Sequence, residues 1–321
     1  MRILIVTNMY PSEGDVSWRG SFVKEQIDSY KNLYPDSIID VFHIKGNVSG
    51  ASNFNYISSF PSLIKKLLFG RYTIVHCHHA FCALLCIPWF YRLIYTVHEG
   101  ELNNTSWRSK IIKAAIHISK IPIFVSHKEY LKSSKKNKQF LPCGVDFDVF
   151  KPILNKEKSK TELNLPTDKA VIFFPADPNR PEKNAPILKM VESIALKTNK
   201  PWFFIYGGTI PKNQIANWMA SADIVISIGK YESDGMVIKE AIACNTPILS
   251  TDVGNSRIYI DDNCGMIVHA DSNQIYQSIE KIMQNPKRFS FGREKLLHLN
   301  QDMQNVTLQL NNIYNEATSQ Q

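Results

Sequence analysis

The chain has 321 residues, 44% of them apolar, so it is long enough for about two domains with separate hydrophobic cores. Its net charge of +8 is concentrated in residues 1–150, which hold 18 Lys and Arg against 11 Asp and Glu; residues 151–321 hold 19 against 18. A basic surface favours an anionic partner. We expect no nucleic acid among the partners, because the sequence has no helix-turn-helix, zinc-finger or RNA-recognition pattern.

The apolar runs are too short to predict a membrane-spanning segment. The longest, from Ala80 to Tyr91, is interrupted by Pro88 and falls well below the roughly 20 residues of a membrane span. The run Ile3–Val6 is too short for the core of a secretory signal. Six cysteines without paired spacing indicate reduced thiols. These features predict a cytoplasmic protein.

In the first half of the chain, apolar runs of strand length alternate with amphipathic segments. The predicted strands are Arg2–Thr7, Ile38–Ile44, Thr73–His76, Leu93–Val97 and Ile121–Ser126. The predicted helices are Gly20–Leu33, Ser62–Leu68, Phe81–Tyr91 and Trp107–Ile118. This alternation predicts a parallel sheet that is covered by helices on both faces.

The same alternation resumes after a lysine-rich stretch, residues 151–169. The predicted strands are Ala170–Pro175, Trp202–Tyr206, Asp223–Ser227 and Pro247–Ser250, and the predicted helices are Ala185–Lys197, Lys212–Ala220, Gly235–Ala243 and Asp302–Ala317. We therefore predict an α/β protein with two Rossmann-like domains, residues 1–150 and 151–301, followed by a C-terminal helix in residues 302–321. Doubly wound sheets bind ligands at the carboxyl ends of their strands, which places the expected active site in a cleft between the domains.

Two carboxylates with seven residues between them, Glu232 and Glu240, are the most informative feature of the second half. On one continuous helix they would lie roughly 80° apart. Ser233 or Asp234 is instead a natural N-cap, so that Glu232 stays in the loop and Glu240 lies just over one turn inside the helix.

Such a helix start suits a phosphate. The backbone N–H groups of Gly235, Met236 and Val237 would lie at its positive end. Since a carboxylate accepts two hydrogen bonds from vicinal hydroxyls, Glu240 can hold a ribose and Glu232 a sugar. The spacing alone equally fits a solvated acidic loop followed by an ordinary amphipathic helix.

Four stretches in order resemble the family 4 retaining glycosyltransferases (glycosyl transferases group 1). The run Tyr231–Val253 resembles their donor-site motif. Gly20–Val23 resembles the N-terminal glycine loop, Leu141–Asp146 the family's PxGVD turn, and Arg180–Asn184 the diphosphate-binding motif. The similarity spans roughly residues 1 to 285.

The resemblance implies the GT-B fold, in which two Rossmann-like domains flank a cleft and a C-terminal helix crosses back onto the first domain. It implies a retaining, metal-independent transferase without a cofactor. The enzyme would move a hexose or N-acetylhexosamine from a nucleoside-diphosphate sugar, with UDP the expected nucleotide. The acceptor would be a glycan or lipid-linked glycan of the cell surface. A nucleotide-sugar epimerase and a non-catalytic partner subunit remain open on the same fold.

The resemblance also assigns roles to individual residues. Arg180 and Lys183 would neutralise the leaving diphosphate, which needs either fixed cations or a metal. Gly20, which lacks a Cβ, would let the backbone approach the diphosphate. His98 corresponds to the family's sugar-contacting histidine. Gly207, after a predicted strand, either admits the nucleotide base or forms a simple tight turn.

Two mechanisms are compatible with retention. Double displacement needs a carboxylate beyond the sugar, for which Glu99 or Glu101 is available. We favour attack on the same face of the sugar, with the departing phosphate accepting the proton of the acceptor.

Two other groups of residues in the sequence have more than one interpretation. Residues 76–79, with Cys82 and Cys86, lack the C-x2-C spacing of zinc sites, so we expect no metal there. The basic amphipathic segment Pro61–Phe69 can dock on an anionic membrane surface, which would make the protein peripheral to the inner face of the plasma membrane. A Rossmann helix packed on its sheet explains the same pattern.

Overall fold

The computed structural model describes residues 1–11, 20–46, 52–98 and 106–319. It divides the chain into two compact units: unit 1 is Met1–Gly144 with Met303–Gln321, and unit 2 is Val145–Asp302. The divisions therefore fall after residues 144 and 302 rather than after residues 150 and 301. Backbone pairing explains the shift, since the N–H of Val145 donates to the carbonyl of Gln301 at 3.0 Å within unit 2.

The elements up to residue 144 form strand–helix repeats. The strands are β1 (Arg2–Thr7), β2 (Ile38–His43), β3 (Ile74–Cys77), β4 (Leu93–Val97), β5 (Ile121–Phe124) and β6 (Gln139–Phe140). The helices are α1 (Ser21–Leu33), α2 (Asn53–Phe69), α3 (Ala80–Leu85), α4 (Trp107–Ile118) and α5 (His127–Lys132), with a 3₁₀ helix at Ile87–Arg92.

The repeats continue after residue 144. The strands are β7 (Ala170–Phe174), β8 (Trp202–Tyr206), β9 (Ile224–Ser227), β10 (Ile248–Thr251) and β11 (Gly265–Val268). The helices are α6 (Lys156–Glu162), α7 (Ala185–Lys197), α8 (Lys212–Ser221), α9 (Met236–Ala243), α10 (Ser256–Tyr259), α11 (Ser272–Gln284), α12 (Gly292–His298) and α13 (Met303–Ser319), with 3₁₀ helices at Pro181–Lys183, Gly207–Thr209 and Pro286–Phe289.

Unit 1 contains a parallel six-stranded sheet in the order β2-β1-β3-β4-β5-β6. Alternate residues of its strands face opposite sides, so Leu4 and Val6 belong to one apolar cluster and Ile3 and Ile5 to the other. Helix α13 joins the second cluster through one apolar stripe, which comprises Val306, Leu310, Ile313, Tyr314 and Ala317. The C-terminal helix is thus part of the core of unit 1.

Unit 2 contains a parallel five-stranded sheet in the order β11-β10-β9-β7-β8. The chain builds from β7 to β8 on one side and then returns to place β9 on the other side. Ligands of open α/β sheets bind at such a reversal, beyond the carboxyl ends of the strands. The loops that follow β7 and β9 are therefore the expected ligand-binding loops of this unit.

Every predicted strand is present, with ends that differ by at most a residue or two. Two strands were not predicted: β6, which is only two residues long, and β11, which begins with Gly265. Glycine is uncommon in strands, but here a Cβ on Gly265 would lie 2.0 Å from the carbonyl oxygen of Ile248. Close contact with β10 explains this glycine.

Two helix predictions need correction. The predicted helix Phe81–Tyr91 is divided at Cys86 into α3 and a 3₁₀ helix, because Pro88 has no N–H to continue the helical hydrogen bonds. The predicted helix Ser62–Leu68 is only the second half of α2, which starts after Ser52. Ser52 and Asn55 form a reciprocal capping box that fixes this start, and Pro61 is accommodated within the helix.

Helix α2 packs against unit 1 through Leu63 and Leu67, which are buried. None of the helices in the four described stretches combines the length and apolarity that crossing a bilayer requires.

Candidate active site

The loops after β7 and β9 in unit 2 are tied to each other. The side-chain amide of Asn184 donates to the carbonyl of Ile228 at 2.9 Å, and the N–H of Lys230 donates to the carbonyl of Glu182 at 2.8 Å. These bonds hold the Arg180–Asn184 segment beside the loop that contains Glu232. Two of the sequence motifs therefore meet at the reversal point of the sheet.

Lys183 and Glu232 form an ion pair across these two loops. Their side chains are only 16% and 24% exposed, so the pair is shielded from most of the solvent. Both residues were predicted to bind the donor, but their direct contact was not predicted. The charge of Lys183 is thus balanced by Glu232.

Arg180 is also paired with a carboxylate. Its Nε and one terminal nitrogen both lie 2.7 Å from Oε1 of Glu182. The pKa of Glu182 lies below its ordinary value, first because a backbone N–H donates to the carboxylate and then because of Arg180. A diphosphate at this site would compete with carboxylates for both cations.

The N-cap residue of helix α9 is Gly235, which is left-handed with a φ of +94°. The first intrahelical bond is donated by the N–H of Ile238 to the carbonyl of Gly235, at 3.1 Å. The amides of Met236 and Val237 precede this series, as expected at the positive end of a helix. The prediction of Ser233 or Asp234 as the N-cap is wrong: Gly235 occupies that position, and no side chain in the described stretches caps it.

Asp234 has a different role, because its carboxylate is the centre of a buried polar network. Lys239 lies 2.6 Å from Oδ2, and their side chains are 0% and 4% exposed. The amide of Asn255 and the hydroxyl of Tyr259 donate to Oδ1 at 2.8 and 2.6 Å. The network anchors the residue immediately before Gly235. Sequence reasoning missed it; the only signal was a lysine within the apolar segment Met236–Ala243.

The remaining donor-site candidates of unit 2 lie on α9 and after β8. Glu240 is the fifth residue of α9 and is half-buried, whereas Glu232 lies in the preceding loop, as the spacing predicted. Gly207 is buried, and a Cβ there would lie 2.3 Å from the carbonyl oxygen of Pro175. Its small size therefore permits the loops after β7 and β8 to touch, which favours the structural interpretation of this glycine.

In unit 1, the candidates Gly20 and His98 follow β1 and β4 along the chain. Gly20 is left-handed (φ +65°), and a Cβ there would lie 2.4 Å from the backbone of Met9 and Tyr10. His98 comes directly after β4, and its ring lies 4.7 Å from that of Phe22 on α1. The Nε2 atom of His98 lies 3.1 Å from Nδ1 of His78, a contact that the sequence did not indicate.

A further histidine, His76, is fully buried below this pair. Its two ring nitrogens each lie 2.7 Å from a hydroxyl oxygen, of Tyr314 on α13 and of Thr96 on β4. Burial, with a smaller contribution from a charge on His98, lowers the pKa of His76 to about 3. His76 is therefore neutral at physiological pH.

No three His, Cys, Asp or Glu side chains among the described residues are grouped to hold a metal ion. His76, His78 and His98 bond to hydroxyls or to one another instead. Glu99 and Glu101, the candidates for double displacement, lie outside the described residues.

Comparisons with known proteins give sequence relatives of this chain. Residues 186–296 match the family model of glycosyl transferases group 1. The D-inositol 3-phosphate glycosyltransferase of Arthrobacter sp. (strain FB24) is 24% identical over 71% of this chain and 66% of its own length. The putative teichuronic acid biosynthesis glycosyltransferase TuaC of Bacillus subtilis (strain 168) is 25% identical over 50% of this chain and 47% of its own length.

The fold is shared with solved structures. The Anabaena protein HepE, crystallised in complex with UDP, has a TM-score of 0.72 with 12% identity, over 98% of this chain and all of that one. The predicted fold class, with two Rossmann-like units of the GT-B type, is confirmed. The predicted resemblance to the group 1 glycosyltransferases is also confirmed. The chain spans about two thirds and about half of the two curated relatives.

Proposed function

We propose, from the group 1 glycosyltransferase match in residues 186–296, that this chain is a retaining glycosyltransferase. It moves a hexose or N-acetylhexosamine from a nucleoside-diphosphate sugar to a glycan or lipid-linked acceptor. The observation that carries the proposal is the arrangement in unit 2. There Lys183, Glu232 and the start of α9 follow β7 and β9, the two strands where the sheet reverses.

The charges of this arrangement suit a diphosphate leaving group. Arg180 offers a planar fork of N–H donors, Lys183 a point charge, and α9 the positive end of its dipole. On donor binding, phosphate oxygens would replace the carboxylates of Glu182 and Glu232 as the partners of the two cationic side chains. Glu232, once released from Lys183, accepts hydrogen bonds from the sugar, and Glu240 accepts them from the ribose.

We assign the chemical step to attack on the same face of the sugar. The bond from the anomeric carbon to the phosphate oxygen breaks, a bond to the acceptor oxygen forms on that face, and the acceptor proton passes to the departing phosphate. Fixed cations stabilise the charge that develops on the phosphate, so this step needs no metal. We assign His98 to the transferred sugar.

UDP is the proposed nucleotide, supported by the UDP complex of HepE. The names of the relatives suggest two classes of acceptor: a teichuronic acid glycan for TuaC and a phosphorylated polyol for the Arthrobacter enzyme. We favour the glycan of a cell-surface polysaccharide, because the basic bias of residues 1–150 suits an anionic or lipid-linked acceptor.

The test combines UDP titration by calorimetry with a screen of nucleotide sugars for released nucleotide. In Lys183→Met, loss of a charge-assisted contact of about 1.5–3 kcal/mol should weaken UDP binding roughly 10- to 100-fold. Glu232→Gln should retain UDP binding and lose sugar transfer. Lys189→Met, which removes an exposed lysine of α7, is the matched control. Failure to bind any nucleotide would indicate a partner subunit, and conversion of the donor without an acceptor would indicate an epimerase.

The stereochemical assignment has its own test. We expect the product to keep the anomeric configuration of the donor, as read by NMR of the first product formed. His98→Ala should lower turnover, and Glu99→Gln should leave it unchanged. The reverse pattern would establish double displacement through the loop after β4.

We further propose peripheral association with an anionic membrane, through the side of α2 that faces solvent. Phe54, Ile57, Leu68 and Phe69 on this helix are 62–77% exposed, and Lys65 is exposed beside them. Sedimentation with vesicles of anionic lipid should carry the protein down, whereas Phe69→Asp should reduce the bound fraction. Equal binding to neutral vesicles, or none to either, would remove this proposal.

A further inference from the structure

The contact between His78 and His98 joins two neighbouring strands of unit 1. β3 and β4 are parallel neighbours, and each histidine is the first residue after its strand. Nδ1 of His78 lies 3.1 Å from Nε2 of His98, and the two rings are within 18° of parallel. At this distance one nitrogen must carry the proton and the other must accept it.

His78 is a neutral imidazole. Its side chain is buried, with the residue only 1% exposed. Burial, and next the unfavourable interaction that a protonated His78 would have with the nearby rings of His76 and His98, holds the pKa of His78 well below its ordinary value. A neutral imidazole has one N–H and one lone pair, so a single proton is placed on either Nδ1 or Nε2.

The position of that proton decides the direction of the hydrogen bond. Nε2 of His78 is buried and has no hydrogen-bond partner within the described residues. If His98 donated, the proton of His78 would sit on Nε2 as a buried N–H without an acceptor. If His78 donates, Nε2 keeps only an unshared lone pair. Buried N–H groups without partners are rarer than incompletely satisfied acceptors, so donation by His78 is the favoured arrangement.

We propose that His78 is a positioning residue that donates its Nδ1–H to Nε2 of His98 and thereby fixes His98 in the tautomer protonated at Nδ1. This inference rests on the proposed function for the role of His98 at the transferred sugar. In this tautomer the proton of His98 is on Nδ1, and its only lone pair, on Nε2, is committed to His78. His98 therefore cannot act as the base, which leaves the acceptor proton to the departing phosphate.

The first test is independent of activity. In the full chain with ¹⁵N-labelled histidine, long-range ¹H–¹⁵N spectra report which ring nitrogen carries the proton. We expect protonated Nδ1 and unprotonated Nε2 for both His78 and His98, each assigned by its substitution. A wild-type His98 protonated at Nε2 overturns the proposal, even if the chain proves to be no glycosyltransferase.

The second test uses variants of the full chain. Asparagine places an amide nitrogen close to the position of imidazole Nδ1, so His78→Asn can still donate to His98, whereas His78→Leu cannot. We expect His78→Leu to lower kcat for sugar transfer about tenfold, as for one lost hydrogen bond, with UDP affinity unchanged. His78→Asn should recover most of this loss.

The control and the contrary outcome complete the design. His298→Leu changes an exposed histidine of α12 and should leave kcat unchanged. Equal loss of kcat in His78→Asn and His78→Leu overturns the positioning role. If His78→Leu fails to fold, His78→Asn with the histidine spectra still decides between the two tautomers.

Discussion

The ion pair between Lys239 and Asp234 predicts a large loss of stability when only one partner is removed. Lys239→Met leaves the carboxylate of Asp234, which is 4% exposed, without its counter-charge. Breaking a buried ion pair in this way costs about 3–5 kcal/mol, because the remaining charge stays desolvated. At about 2–4 °C per kcal/mol for a unit of this size, the midpoint of thermal unfolding should fall by about 6–20 °C.

The design includes a rescue and a matched control. Asp234→Asn combined with Lys239→Met removes the second charge but retains the acceptor for Asn255 and Tyr259, and should recover at least half of the loss. Lys158→Met removes a lysine from an exposed pair with Glu162, whose side chains are 73% and 65% exposed.

Urea and thermal unfolding, followed by circular dichroism, give the comparison. Lys158→Met should cost well under about 1 kcal/mol, since exposed pairs contribute little. If Lys239→Met were no more destabilised than Lys158→Met, or if the double variant recovered nothing, the stabilising role of the buried pair would be refuted.

Two further predictions concern Gly235 and His76. Gly235→Ala places a Cβ on a residue with φ +94°, so it should cost about 1–2 kcal/mol in urea unfolding and weaken UDP binding, whereas Ala243→Gly at the other end of α9 should not affect UDP. His76 has a pKa of about 3 in the folded protein against about 6.5 in the unfolded chain. The stability that comes from keeping this buried ring neutral is therefore complete above pH 6.5 and is lost as the pH falls toward 3. Between pH 7 and pH 5 the wild type should lose about 2 kcal/mol more than His76→Asn in urea unfolding; equal losses would contradict the assignment.

The fold was largely predictable, because parallel strands that are buried on both faces leave continuous apolar runs in the sequence. β1 and β7 are two strands that such apolar runs predicted. β6 was not predicted, because a strand of two residues is too short to show an apolar pattern. The start of α2 was misplaced because Pro61 resembles a first helical residue, whereas the capping box at Ser52 is formed by polar side chains outside the apolar segment.

The site was predictable as a set of residues but not as a set of contacts. Motif spacing identified Lys183 and Glu232, but they are 49 residues apart and only the order of the strands brings them together. The same holds for His78 and His98, 20 residues apart on neighbouring strands. Side-chain partners depend on which strands are neighbours in the sheet, and local sequence patterns do not give the strand order.

The return of α13 to unit 1 has a consequence for biosynthesis. The apolar face formed by Ile3, Ile5 and Ile74 is completed by Leu310 and Ile313, so unit 1 acquires this packing layer only after the whole of unit 2 has been synthesised. While unit 2 is being synthesised, the nascent chain exposes an apolar surface of the kind that makes incompletely folded proteins prone to aggregation and dependent on chaperones. We therefore expect chains released before residue 303 to aggregate or to be degraded, even though almost all of unit 1 has already been translated.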